Sequence, residues 1–385
     1  MRISRLSSRL RQLIGVGVCL LIAVGTAEAR DIDVLVESRK GIGLIPSTWR
    51  GTLYNGGDLP VEGLNWVSIN ASLVGTAWKE RIGGGGPGWV ALDAAIDAAV
   101  AKGARVVLPL PTIFAPENES TWRARVEDTV RRTAERADRY EISSAPSVDR
   151  ERYLALYESG VWAAYQGYHK ASVGGPGVDL STGLLAALAD RCSERSLPLS
   201  FVSWSVVGET GEESQDTFSR VEGILDRVGL EDRPGAVVSR WITGDPESVP
   251  AVTLSLLYGL TKANLDASIA DLSQLPWGET ALKVYDRLGQ VEIPMLFDPA
   301  GDLGGVATLD GDDVRMLLWA ERRSRATISV SGMRWGRMYA YERSVVGLRR
   351  TQVVEKRDLR AEDPVVIEVS VSPGSPVFLT LTPKN

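Results

Sequence analysis

The side chains able to do chemistry are few, and most stand where an apolar run ends. Asp138-Arg-Tyr-Glu-Ile-Ser-Ser-Ala-Pro146 carries Glu141, Ser143 and Ser144. Leu199-Ser-Phe-Val-Ser-Trp204 runs into Ser205 and then, past Gly208, into Glu209, Glu212 and Glu213. Val237-Val-Ser-Arg-Trp241 ends on Arg240 and Trp241, with Asp245 and Glu247 just beyond. Paired carboxyls suit cleavage at an acetal carbon, one attacking and one protonating the leaving oxygen from about 5 Å away. An arginine can do neither, because it is permanently cationic; its planar fork grips carboxylates and sulfates instead. Trp204 and Trp241 offer flat faces that pack on sugar rings or, equally, fill a core.

Other reaction classes fall away for want of residues. The single histidine, His169, follows Tyr168 and precedes Lys170 in a helical, Tyr-rich stretch, where a solvent-facing position is expected. A Ser-His-Asp triad or a histidine metal site would rest on it alone, so no metal and no cofactor is expected. The glycines at 83–88 and 174–177 lack the Gly-Lys-Ser/Thr ending of a phosphate loop and read as turns. Asn70-Ala-Ser72 and Asn118-Glu-Ser120 match the glycosylation triplet, with nothing else to suggest its use.

The elements that must position these groups alternate. Strands are expected at 66–70, 105–110, 139–142, 171–174, 199–204, 235–241 and 267–271. Helices with apolar residues at helical spacing are expected between them, at 89–102, 120–137, 150–170, 181–195, 212–228 and 247–263. Short connections in such an alternation favour a parallel sheet, and both a closed eight-stranded barrel and an open sheet fit. Beyond residue 301 the helical pattern stops. Runs at 313–319, 326–330, 337–341, 365–369 and 377–381 read as short strands of an antiparallel β-sandwich. The alternating strand 31–37 can belong to either unit.

The first 29 residues read as an export signal: Arg2, Arg5, Arg9 and Arg11, an uncharged run from Leu13 to Val24, then Ala27-Glu-Ala29. That run is shorter than the roughly 20 residues that span a bilayer, so cleavage with no stable span left is expected, and a periplasmic or secreted protein with it; an uncleaved anchor is the alternative. Taking four Arg and one Glu from 43 basic and 49 acidic side chains leaves a net charge of −9, which argues against a nucleic-acid partner. Cys19 goes with the signal, and Cys192 alone cannot form an intrachain disulfide. Stability must come from a large core, which the 44% apolar content allows.

Three of the strand ends resemble glycoside hydrolase family 39, which includes β-xylosidases and exopolysaccharide-cluster glycosidases, and the resemblance runs from about residue 62 to the C terminus. Glu141 and Pro146, then Tyr153-Leu-Ala-Leu-Tyr157 and Val173-Gly-Gly-Pro176, match a family segment whose strand ends aromatic-Glu-x-Trp-Asn-Glu-Pro. Ser143, Ser144 and Ala145 stand where its Trp, Asn and acid/base Glu would be. Leu197-Pro-Leu-Ser-Phe-Val-Ser-Trp-Ser205 is similar to a family strand with Asp and His where Ser200 and Ser205 stand. Val237-Val-Ser-Arg-Trp241 is similar to a strand ending Thr-Glu-Trp, with Arg240 at the nucleophile.

The resemblance therefore implies an α/β fold, a (β/α)8 barrel over 30–300 followed by a sandwich over 301–385, with both catalytic carboxylates replaced. Three functional readings follow. The first is a noncatalytic protein that binds a polysaccharide or oligosaccharide, anionic ones included, in exopolysaccharide or cell-envelope handling, through Glu141, Ser144, Trp204, Ser205, Arg240 and Trp241. The second is an active hydrolase or lyase with a relocated acid such as Glu209. The third is a scaffold in a polysaccharide assembly, its protein partners open. Arg240 has two roles in view, gripping an acidic sugar or pairing with Glu141 or Glu209.

Overall fold

Alternating strands and helices close into a barrel of eight parallel strands. The computed structural model describes residues 30–384 apart from 45–49, 55–63, 81–83, 115–117, 144–148, 209–210, 229, 231, 244–249, 264, 276, 299–301 and 349. The expected signal at 1–29, Ser144, Ala145, Glu209, Asp245 and Glu247 lie outside the described residues.

In chain order the barrel strands are Arg50–Tyr54, Trp66–Ile69, Arg105–Pro109, Arg139–Glu141, Val173–Val178, Phe201–Val207, Gly235–Ile242 and Ala267–Ala270. The first was not legible in the sequence. It closes the barrel, with Ser268 opposite Arg50 and Gly51 opposite Trp66. A Cβ at Gly51 would lie 2.7 Å from Ile269 Cδ1 and 2.8 Å from Trp66 Cβ, so the closing strand needs glycine there. The glycines at 174–177, read as turns, instead belong to strand Val173–Val178. A Cβ at Gly174 would meet Phe201 O at 2.1 Å and one at Gly175 Tyr153 Oη at 2.5 Å. Small residues here let neighbouring elements approach.

Helices run over Pro87–Ala101, Glu119–Thr133, Arg150–Gly167, Leu184–Arg195, Gly211–Val228 and Pro250–Lys262, with two more at Ala71–Trp78 and Gly278–Asp286 that the sequence reading missed. The two asparagines of the glycosylation triplets are N-caps. Asn70 Oδ1 accepts from Ser72 N (2.8 Å) and Asn118 Oδ1 from Thr121 N (3.0 Å), satisfying helix-start amides. His169 lies past the end of its helix and is exposed.

Strand alternation divides the apolar residues between two layers. Val67, Val106, Leu108, Tyr140, Ile142, Val202, Trp204 and Val238 join the core between strands and helices. Trp66, Val107, Phe201, Val237, Ala267 and Ile269 form a separate cluster inside the barrel. Arg105 and Arg139 stack over the Trp66 ring at 4.1 and 4.8 Å, and Arg139 also pairs with Asp266.

Two sheets form the sandwich. One, in order, is Met295–Asp298, Arg30–Glu37, Ser324–Ser331 and Val365–Val371. The other runs Thr351–Arg360, Met338–Val346, Val377–Pro383, Asp313–Ala320, Leu303–Asp310, Val291–Ile293 and Gly43–Leu44. Strand Arg30–Glu37 thus lies in the sandwich, parallel to Ser324–Ser331 in an otherwise antiparallel sheet. The sandwich also takes residues 291–298, so its start falls near 290, not 301. Trp319, Leu317 and Phe378 pack into the barrel's own core, and Glu292 accepts from Lys262 and Tyr258 across the junction. No helix among the described residues is long and apolar enough to cross a membrane.

Candidate functional site

Functional side chains of a parallel barrel gather at the carboxyl ends of its strands. Glu141 sits there and faces the lumen. Its neighbours Tyr140 and Ile142 turn into the helix layer, where Tyr140 Oη lies 3.1 Å from Thr133 Oγ1. The strand end is stitched to the next loop, with Leu110 N donating to Glu141 O (2.7 Å) and Thr112 N and Oγ1 donating to Ser143 O (3.1 and 2.9 Å). The Glu141 carboxyl is 6% exposed. Oε1 accepts from Ser143 Oγ (2.6 Å), while Oε2 has no hydrogen-bond partner among the described residues. Burial pushes this carboxyl above the usual glutamate range, and the hydroxyls of Ser143, Ser203 and Ser239 act against that shift. Room for it is made by Gly177, whose φ of +71° and missing Cβ (2.7 Å from Oε1 if present) leave the space free. Burial therefore favours the protonated form, which donates a hydrogen bond or a proton, over the carboxylate, which attacks.

Arg240 stands beside Ser205 in register on the adjoining strand, after a bulge between Trp204 and Ser205. Its partner among the described residues is not Glu141 but Asp271, at the end of the eighth strand. Arg240 Nε and Nη2 donate to Asp271 Oδ2 at 3.1 and 2.9 Å, and Ser273 Oγ donates to Oδ1 at 2.5 Å. Asp271 is 4% exposed and Arg240 42%, so the carboxylate is sequestered and the outer edge of the guanidinium faces outward. Adjacent parallel strands end side by side, a signal that could have singled out Asp271 from the sequence. Asp179, after strand Val173–Val178, caps Ser181 N (2.6 Å). Each of these strand-end carboxyls is thus committed: Asp179 to a cap, Asp271 to a clasp and Glu141 to burial with no cation paired to it among the described residues.

Trp204 and Trp241, expected as sugar platforms, are core residues at 1% and 0% exposure. Period-2 alternation turns Trp204 into the helix layer, its ring 6.3 Å from Phe218, and Trp241 joins the same core. Neither has an open face for a sugar. Of the expected binding residues, the structure brings Ser205 and Arg240 side by side and puts Glu141 deeper in the lumen. Ser144, Ala145 and Glu209 lie outside the described residues, and Glu213 is exposed on helix Gly211–Val228.

Neither a protein-family model nor a curated protein sequence matches the chain. Solved structures do. The glycoside hydrolase family 39 enzyme of Xanthomonas axonopodis pv. citri superposes with a TM-score of 0.70 at 14% identity, over 94% of this chain and 100% of that one. The monomeric β-xylosidase of Caulobacter crescentus gives 0.69 at 14% identity, over 93% and 100%. The glucosidase of Croceicoccus marinus gives 0.69 at 13%, over the same shares. At these identities the likeness is one of architecture, barrel and sandwich together. In fold, this chain is a glycoside hydrolase family 39-like protein.

Proposed function

We propose that the chain is an exported, noncatalytic carbohydrate-binding protein, acting on a polysaccharide of the cell envelope or an exopolysaccharide. One observation carries the reading: at the strand end where the resemblance puts a nucleophilic carboxylate stands Arg240, locked on Asp271 by two hydrogen bonds. An arginine there cannot attack a sugar, and its charge would oppose the positive charge that develops on the ring. The resemblance puts Ala145 at the acid/base position, and an alanine there would remove the other half of the chemistry. With Nε and Nη2 spent on Asp271, the exposed remainder of the guanidinium, flanked by Ser205, is suited to a sugar hydroxyl or carboxylate. Titration of the mature chain with oligosaccharides from the producing cell's own polymer tests this. Binding that weakens in Arg240→Ala supports it, and binding indifferent to that substitution removes Arg240 from the site.

A second reading, residual hydrolysis, draws on Glu141. It is a buried carboxyl held toward its neutral form, with one oxygen that has no hydrogen-bond partner among the described residues, as a general acid needs to be. Among the described strand-end carboxyls, Asp271 is already clasped by Arg240 and Asp179 caps Ser181 N, so neither is free to work with it.

A further inference from the structure

We propose that the sandwich carries a second saccharide site, selective for acidic sugars, built on Trp335 and the cavity beside it. Trp335 is 80% exposed, whereas Trp66, Trp78, Trp89, Trp122, Trp204 and Trp241 are fully buried. An indole left this far in water is costly unless something covers it.

The mount is rigid. Trp335 and Gly336 are the central residues of a turn closed by Arg337 N donating to Arg334 O (3.2 Å), with Gly336 at φ +75°. Gly336 N donates to Ala361 O (2.9 Å) and Ala361 N to Arg337 O (2.8 Å), pinning the turn to the opposite chain segment. Met333 and Tyr339, both 4% exposed, anchor its two ends, and the Tyr339 hydroxyl accepts from Arg334 N (3.3 Å). A flat ring held on a fixed turn loses little entropy when a ligand stacks on it.

The same turn borders a cavity of about 260 Å³ lined by Ser38, Arg39, Asp312, Arg334 and Tyr339, among others. Its charges are unequal. Asp312 is paired with Arg337 (3.5 Å), whereas neither Arg39 nor Arg334 has a carboxylate within 4 Å among the described residues. Arg39 Nε donates to Gly332 O (2.6 Å), which holds that guanidinium at the cavity wall. Arg39 and Arg334 line the cavity, and Trp335 follows Arg334 directly in the bordering turn. Two guanidiniums without carboxylate partners among the described residues, next to an exposed indole in the chain, fit a sugar ring bearing a carboxylate, the ring stacked on Trp335 and the acid on the arginine forks. A neutral sugar would leave both arginines unmatched. The site extends the carbohydrate reading to the other domain without needing the barrel mouth.

The test titrates the mature chain, by calorimetry, with tetrasaccharides of galacturonate, mannuronate and glucuronate, and with cellotetraose as the neutral control. At least one uronate is expected to bind in preference to cellotetraose. Trp335→Ala should weaken that binding about tenfold or more, Trp335→Tyr should restore most of it, and Arg39→Ala with Arg334→Ala should abolish the preference for acid. Melting curves check that the variants fold, which the backbone-held turn favours. Failure of the wild type to bind any of the three uronates overturns the proposal, as does uronate binding indifferent to Trp335→Ala. Weakening by Trp335→Ala with none from Arg240→Ala would uphold this site and reject the barrel-mouth reading; the reverse pattern would do the opposite.

Discussion

Replacing Arg240 by the glutamate that the family resemblance puts there should damage the protein, because Asp271 has become its partner. The wild-type pair has two donors on one carboxylate oxygen at 2.9 and 3.1 Å. With 42% of the arginine side chain exposed, solvent screens the pair, and its loss costs about 1–2 kcal/mol. A glutamate at 240 also brings a second negative charge to within roughly 5 Å of a 4%-exposed aspartate, and at an effective dielectric of 20–40 that repulsion is about 2–3 kcal/mol. Arg240→Glu is therefore expected to lose about 3–5 kcal/mol at pH 7, a large share of an ordinary domain's stability. Repulsion raises the carboxylates' affinity for protons, so the deficit should shrink as the pH falls toward 4. Arg240→Glu with Asp271→Asn should recover all but about 1–2 kcal/mol, the value of the lost pair. Urea denaturation followed by tryptophan fluorescence at pH 7 and pH 4.5 measures each term. An Arg240→Glu variant within about 1 kcal/mol of wild type, or no recovery from the aspartate substitution, would show that the Arg240–Asp271 clasp does not organise this end of the barrel.

Other consequences follow from the same geometry. Glu141 has a carboxyl raised above its ordinary 4.5 by burial. The folded state thus holds this proton more tightly, and wild-type stability falls as the pH rises from about 4.5 to the folded value, by up to about 1.4 kcal/mol per pH unit. Glu141→Gln lacks that term and should gain on wild type between pH 4 and pH 8; parallel pH–stability curves would contradict the burial argument. Gly177→Ala carries both a φ of +71° and a Cβ 2.7 Å from Glu141 Oε1, whereas Gly103→Ala, at φ +76°, meets nothing within 4 Å. The first should cost about 2–4 kcal/mol and the second about 1, and equal losses in a urea titration would show that Glu141 does not crowd Gly177. Cys192 is fully buried, and burial pushes its thiol up to about 12. A thiol reagent at pH 8 should leave Cys192 unlabelled in the native protein and label it in denaturant; rapid native labelling of Cys192 would refute that placement.

Barrel strands and the helices between them were largely legible because both periodicities are strong: Trp89, Leu92, Ile96 and Ala99 recur at helical spacing and are all buried. Strand Arg50–Tyr54 escaped because five residues around Gly51 carry no pattern of their own; its identity comes from the two strands it joins. Strand Arg30–Glu37 shows its alternation plainly, but its neighbours come from 295–298 and 324–331, which no local signal reveals. At the site, residue types at strand ends were legible and side-chain direction was not. A bulge beside Ser205 sets the register of Arg240, and Trp204 turns away from the mouth because it is one residue out of phase with Ser203 and Ser205. Asp271 was overlooked since its worth lies in the strand next to it.

The most direct test of a noncatalytic barrel is to incubate the protein with oligosaccharides of its producing cell's polysaccharides and weigh the mixture by native and denaturing mass spectrometry. The expected result is a sugar-bound mass with every oligosaccharide intact, for wild type and Glu141→Gln alike. Shortened products that appear with the wild type and vanish with Glu141→Gln would contradict it, and would make Glu141 the acid of a working hydrolase.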